Sequence, residues 1–413
     1  MKLAPPMIAA LLFALTAEDA ARLALQQASA YQQALNEERA AALDVAQARA
    51  ALLPKLRDSF TATVNKPLHP GSEEPAFIAQ NAAREFQNLL GVEGSLDFGA
   101  RASVARARAL LAAAHAGTEV ARRELVRGVR EAYFGYALAA AKRRSADEAL
   151  AAAQEFERVT ALRAKGGEVP DVDVVRARLQ TAQRRDDAEQ ARLQEMIAAA
   201  ALRVLIGYTP AQALEVEELT AAPSAADIER FAAGVVRPEV EQAQAQLRAA
   251  RADVDVARAT RLPALTYSAD QGFDSPTLHA DDLRQHRGYL VVANVNVPIF
   301  DWGLGRAKQR QAELRAMTAE TQLALVQRQA GQDFLAAREG ALAAVRRVDN
   351  ARAAVADAQR NADVSIARYR AGEAPVVEVT DALTTLAQQR ANYNQALFDY
   401  EMARARLQEA AGE

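Results

Sequence analysis

Apolar positions recur along this chain in two rhythms, and the switches between them mark out its elements. From Thr16 to Leu53 the spacing is helical, with Leu23, Leu35, Leu43 and Leu52 set among Ala, Gln, Glu and Arg. Thr16 followed by Asp19 resembles a capping box and predicts a helix start there; Pro54 ends the helix. Between Leu56 and Lys66 the period becomes two. Phe60, Ala62 and Val64 alternate with Ser59, Thr61, Thr63 and Asn65, as in a strand with one apolar and one polar face. Pro67, Pro70, Gly71 and Pro75 mark a loop, and Val92 to Phe98 is a weaker pattern for the returning strand. Residues 99–164 contain no proline, so one helix of roughly 100 Å fits. Gly166, Gly167 and Pro170 stop it, and a second helix returns over 171–205. On that helix Val175, Leu179, Ala182, Leu193, Met196 and Ala200 fall on a heptad seam, interrupted by Asp186 and Glu189.

The same order then recurs. Arg163–Gly207 aligns without a gap to Arg368–Gly412 at a constant shift of 205 positions, pairing Gly167 with Gly372, Pro170 with Pro375 and Leu202 with Leu407. A register held that long predicts an internal two-fold repeat: residues 15–207 and 238–413, joined by a connector over 208–237. In the second half, helix is expected over 239–261 and strands over 264–273 and 288–299. The last of these is the clearest, with Tyr289, Val291, Ala293, Val295 and Val297 on one side. A long proline-free helix follows over 303–371. The closing helix, 376–411, carries Val379, Leu383, Leu386, Tyr393, Leu397, Tyr400 and Leu407 on a heptad.

Composition narrows the fold class. Half of the 413 residues are hydrophobic but only 5% are aromatic, and alanine dominates. Alanine has the best helix propensity and lets helix backbones approach closely, which favours long helices packed side by side. A net charge of −3 argues against nucleic acid as a partner. There is no cysteine, so disulfides, thiol catalysis and a lipid anchor on an N-terminal cysteine are excluded. Lys2 ahead of the apolar run Met7–Leu15 reads as a secretory leader over residues 1–14, since the run is too short to span a bilayer. The competing reading of that run is a buried first helix turn. No other stretch is a transmembrane helix, so a place in a membrane requires a closed β-barrel.

The fold class expected is therefore mainly α with a small β part: long antiparallel coiled-coil helices plus four strands per chain. Strands of about ten residues cross an outer membrane when tilted. Four cannot close a barrel alone, so several chains must contribute to one. The four histidines, His69, His115, His279 and His286, form no metal-binding pair, and no phosphate-cradling loop is present. No enzyme constellation and no cofactor is expected. The alternative is a coiled-coil interaction or scaffold protein of the periplasm with no membrane role.

Leu262-Pro263-Ala264-Leu265, Val297-Pro298-Ile299-Phe300-Asp301-Trp302-Gly303-Leu304-Gly305-Arg306, Tyr369 with Gly372 and Val377, Asp381-Ala382-Leu383, and Leu407 with Gly412 together resemble the TolC-type outer-membrane efflux duct family across the mature chain. The resemblance implies a homotrimer in the outer membrane of a Gram-negative bacterium, each chain giving four strands to one barrel continued by a periplasmic helical barrel. It implies partners as well: a periplasmic adaptor, an inner-membrane transporter and outer-membrane lipid, in an efflux or type I secretion system. The helix-hairpin tips, Gly166-Gly167-Glu168 and Ala371-Gly372-Glu373, match the family's adaptor-docking motif but lack its valine. Tyr369 and Asp173 match a tyrosine–aspartate link that holds the mouth closed. The family's latch arginine aligns with Ala374, leaving Arg368 or Arg370 to take its place. Glu378 and Asp381 match the acidic constriction and lie one turn apart on one helix face.

Overall fold

The computed structural model describes residues 15–64, 84–210, 212–219, 223–231 and 237–412. The leader expected over 1–14 and the last two residues of the strand expected over 56–66 lie outside them. In chain order the elements are α1 (Ala17–Gln27), α2 (Ser29–Ala50), β1 (Lys55–Val64), β2 (Arg84–Leu96), α3 (Phe98–Lys165), α4 (Asp171–Ile206), α5 (Ala225–Glu229), α6 (Pro238–Ala259), β3 (Ala264–Ser275), α7 (Ala280–Gln285), β4 (Arg287–Asn296), α8 (Leu304–Arg370) and α9 (Val376–Ala411). Two compact units result. One joins residues 1–35, 117–240 and 327–413; the other joins 36–116 and 241–326. Each unit therefore draws on both halves of the sequence.

The second unit holds the sheet, four antiparallel strands in the order β1-β2-β3-β4. Residues directly opposite one another in such a ladder share a face, so the register assigns every side chain. Leu56, Phe60, Leu90, Val92, Leu96, Leu265, Tyr267, Tyr289, Val291 and Val295 fall on one face. Ser59, Thr61, Gln87, Glu93, Thr266, Ser268, Asp270, Asn294 and Asn296 fall on the other, a mainly polar face that also carries Leu89, Leu290 and Val292. Among the described residues nothing covers the apolar face, and Tyr289 is 86% exposed. Two glycines of β2 are covered from β3 instead: a Cβ at Gly94 would strike the Tyr267 ring, and one at Gly91 the Asp270 carboxyl.

Two strand expectations are corrected. The return strand runs over Arg84–Leu96 rather than 92–98, and Phe98 opens α3. Asn88 and Gly94 interrupt the apolar face of this strand and Leu89 stands on the polar one, which hides its period from the sequence. The last strand ends at Asn296, not Ile299, because Pro298 has no amide to give to a ladder. Beyond it Asp301 receives the amides of Gly303 and Gly305 at 3.0 and 2.6 Å, turning the chain into α8. Those amides hold its carboxyl below the ordinary carboxylate range.

The first unit is helical. Thr16 caps α1, accepting the Asp19 amide at 3.1 Å as expected. The helix expected as one piece from 16 to 53 breaks at Ala28, whose extended ψ of 119° separates α1 from α2. Ala20, Ala21 and Ala24 are buried with Val129, Tyr133, Leu202 and Ile206 of α3 and α4, whereas α2 buries only Val45. The Tyr133 hydroxyl fastens this cluster, donating to the Leu15 carbonyl at 2.8 Å and accepting the Glu217 amide at 3.1 Å. A second cluster joins Ile228 of α5 to Phe334, Val348, Leu397, Tyr400 and Leu407 of α8 and α9.

The two heptad seams part company. On α9, Val379, Leu386, Leu397, Tyr400 and Leu407 are buried within the chain. On α4, Val175, Leu179, Ala182, Leu193, Met196 and Ala200 are all exposed, and the residues that pack inside the chain are Ala177, Thr181, Ala188, Ala199, Leu202 and Ile206. The apolar α4 stripe lacks a partner among the described residues.

Gly272→Ala tests the sheet. A Cβ there would lie 1.7 Å from the Asn88 carbonyl oxygen, and backbone cannot yield as a flexible side chain does. The variant is expected to lose about 2 kcal/mol or more, read as a lower midpoint of the β signal in detergent. Gly288→Ala, which meets nothing within 4 Å, is expected to melt with the parent.

Candidate functional site

The ends of the two helix hairpins, α3–α4 and α8–α9, carry every site residue singled out in the sequence. Both turns are built alike. Gly167 and Gly372 adopt φ of 76° and 82°, the left-handed conformation that glycine enters without steric cost. Over each glycine the following amide returns to the helix: Glu168 to the Arg163 carbonyl at 3.0 Å, Glu373 to the Arg368 carbonyl at 2.9 Å. Pro170 and Pro375 then start the next helix. Gly166, Gly167, Glu168, Ala371, Gly372 and Glu373 are all exposed.

Tyr369 is the centre of the apolar cluster behind these turns, 2% exposed among Phe156, Ala177, Ala374, Val376 and Val379. Its hydroxyl donates to Thr160 Oγ1 at 3.1 Å, and its ring meets Phe156 edge-on at 5.1 Å. Asp173 accepts instead from Arg176, one turn further along α4, at 3.4 Å. The structure thus gives Tyr369 and Asp173 separate partners. The reason is geometric: Tyr369 lies on the buried side of α8, where α3 supplies the nearest acceptor.

The carboxylates separate too. Glu378 accepts from Arg368 and, at 3.4 Å, from Ser365. Arg368 is therefore spent inside its own hairpin. Asp381 is exposed and makes no hydrogen bond or ion pair among the described residues. Ala374, aligned with the latch arginine, is buried in the tip cluster, a position that rejects a charge. On the outer side of α3, the paired hydrogen bonds from Arg158 hold the Glu155 carboxyl below its usual range.

Three contributors were not singled out from sequence: Phe156, Thr160 and Arg163. Arg163 donates from Nε to Glu168 at 2.9 Å and from Nη1 to the Tyr369 carbonyl, and its guanidinium lies 4.8 Å from the Tyr369 ring centroid. The signal available was its repeat partner, Arg368, which stands 205 positions later.

Known outer-membrane channels share this fold of helix hairpins and a four-stranded antiparallel sheet. The Campylobacter jejuni CmeC outer membrane channel superposes with a TM-score of 0.83 at 20% identity, covering 96% of this chain and 85% of that one. The outer membrane protein VceC from Vibrio cholerae gives 0.83 at 20% identity, covering 96% of each chain. The family model "Outer membrane efflux protein" matches residues 20–208 and 233–413, and the chain belongs to that family. It is an outer-membrane protein with a periplasmic helical part and serves as an exit duct of efflux systems. A curated relative is the Pyoverdine export outer membrane protein OpmQ of Pseudomonas aeruginosa. It is 29% identical over 382 residues, 88% of this chain and 77% of that protein. The family is one of transport channels.

Truncating Tyr369 tests the tip cluster. Tyr369→Phe removes a donor, but the Thr160 hydroxyl keeps its bond to the Phe156 carbonyl at 2.9 Å, so no buried donor is orphaned. The expected loss is about 1 kcal/mol. Tyr369→Ala opens a cavity and is expected to cost about 3–5 kcal/mol, both read from denaturant midpoints of the helical signal.

Proposed function

We propose that three copies of this chain close one barrel through the outer membrane and that the helices continue it as a tunnel through the periplasm. One observation carries the reading: an exposed sheet with one apolar face, one polar face and two unpaired edges, β1 and β4. Strands of 10 to 13 residues suit a tilted crossing of the hydrocarbon layer. In lipid an unpaired edge is prohibitive, and joining β1 of one copy to β4 of the next removes both edges. Three four-stranded sheets give twelve strands, within the even-numbered range of such barrels. The bare α4 stripe supports the same assembly, as a seam awaiting a neighbouring copy. The left-handed glycines at 167, 207, 372 and 412 fall in pairs 205 positions apart, which supports a two-fold repeat as the source of both hairpins.

In this reading the duct is passive. Solute is handed over by an inner-membrane transporter through a periplasmic adaptor, which docks on the tips at Gly166-Gly167-Glu168 and Ala371-Gly372-Glu373. The constriction lies at the same ends. Tyr369, buried, keeps the second hairpin packed, while Asp173, Glu378 and Asp381 supply acidic groups around the mouth. Arg368 neutralises Glu378, so unpaired Asp381 contributes most of the field. Repeated by threefold symmetry, it makes a negative ring that favours cations.

Purified in detergent, the chain is expected to run as a trimer and to form channels in planar bilayers. A protein that stays monomeric and gives no channels would remove the proposal and favour a coiled-coil scaffold. Asp381→Asn is expected to move the reversal potential in a salt gradient toward lower cation selectivity with trimers intact. An unmoved potential would take Asp381 out of the constriction.

A further inference from the structure

The contacts of Arg163 are unusual for a residue at the end of a long, solvated helix. Its side chain is only 17% exposed. Two of its three nitrogens donate hydrogen bonds. Nε binds Glu168 in its own turn, Nη1 binds the Tyr369 carbonyl on the other hairpin, and the plane lies against the Tyr369 ring. Nη2 comes close enough to Gly372 that an added Cβ there would sit 3.6 Å from it. The Tyr369 carbonyl is at the last turn of α8, where positive charge is favoured; it accepts the Gly372 amide at 3.0 Å and has a second lone pair for Arg163. A planar fork that is always charged fits this triple role; an ammonium on a flexible stem does not.

We propose that Arg163 is the positioning residue that fastens the two hairpin ends of one protomer, and that separating them requires Arg163 to release Tyr369. The fastening is Arg163 and Thr160 on α3 against Tyr369 on α8. Glu168 serves it by holding the guanidinium in plane from the far side. Asp173 takes no direct part, being paired with Arg176. As a statement about a gate this rests on the duct reading; as a statement about the hairpins it does not.

The chain contains no cysteine, so a single thiol reports cleanly. Ala177 is 1% exposed in the tip cluster beside Tyr369, and Ala177→Cys is expected to react slowly with N-ethylmaleimide in the purified full-length protein. In that background Arg163→Gln is expected to speed labelling on the order of tenfold or more, the scale of losing charge-assisted hydrogen bonds. Lys165→Gln, which removes an equal charge from the same turn, is expected to label at the parent rate. A parent rate in Arg163→Gln, or an equal acceleration in Lys165→Gln, overturns the proposal. If Arg163→Gln lacks the parent's helical signal, Arg163→Lys decides, since it keeps the charge and loses the fork. Faster labelling then supports the fastening and the parent rate defeats it. Bilayer recordings of the same proteins separate the two levels. A parent without channels defeats the duct reading and leaves labelling to judge the fastening. With channels present, larger conductance in Arg163→Gln supports its role at the gate, and unchanged conductance confines it to packing.

Discussion

A strand in contact with lipid has no water to satisfy its amides and carbonyls, so every backbone group on both sides must find a protein partner. In this chain β2 and β3 meet that demand on both sides, while β1 and β4 meet it on one. The bare apolar face forbids the opposite solution, leaving the sheet in water, because Leu56, Phe60, Tyr289, Val291 and Val295 would stand exposed together. A lipid surround and a neighbour at each edge, as proposed, would meet both demands.

The helices pack on small side chains. Helices α3, α4, α8 and α9 are lined with buried alanine, including Ala137, Ala177, Ala188, Ala341, Ala362 and Ala382. Contacts of this kind bring helix backbones close without a bulky core and leave the larger apolar residues free for other surfaces. On α9 those larger residues turn inward, onto α8 and α5; on α4 they turn out. One heptad pattern therefore serves two purposes, and only the first is completed inside a single chain.

Periodicity made most of the fold legible: both long helices, their returns and three of the four strands stand out from proline placement and from the switch between periods. The failures are equally physical. The strand Arg84–Leu96 escaped because Asn88 and Gly94 interrupt its apolar face, and the space over Gly94 is filled by Tyr267 of the next strand, a cross-strand relation that no local pattern carries. The break at Ala28 escaped because it is set by the packing of α1, with no proline or glycine to announce it. The heptad on α4 was visible, but periodicity does not say whether the partner lies in the same chain. At the hairpin ends, resemblance pointed to residues but not to their partners within the chain. Tyr369 stands out by its position in the motif, yet its bonding is decided by which residues of α3 lie beneath it.

Arg163 and Arg368 show how far two copies of one unit drift once they occupy different surroundings. Both stand just before a left-handed glycine, and both carbonyls close the same turn. Arg368 reaches across its own hairpin to Glu378 and neutralises that carboxylate. The carboxylate at the corresponding place beside Arg163 is Asp173, one methylene shorter and paired with Arg176. Its guanidinium binds Glu168 in its own turn and crosses to the neighbouring hairpin, where the Tyr369 carbonyl accepts from it and the Tyr369 ring lies beside it. The asymmetry between hairpins at this end thus goes with two differences between the copies, glutamate at 378 against aspartate at 173 and tyrosine at 369 against alanine at 164.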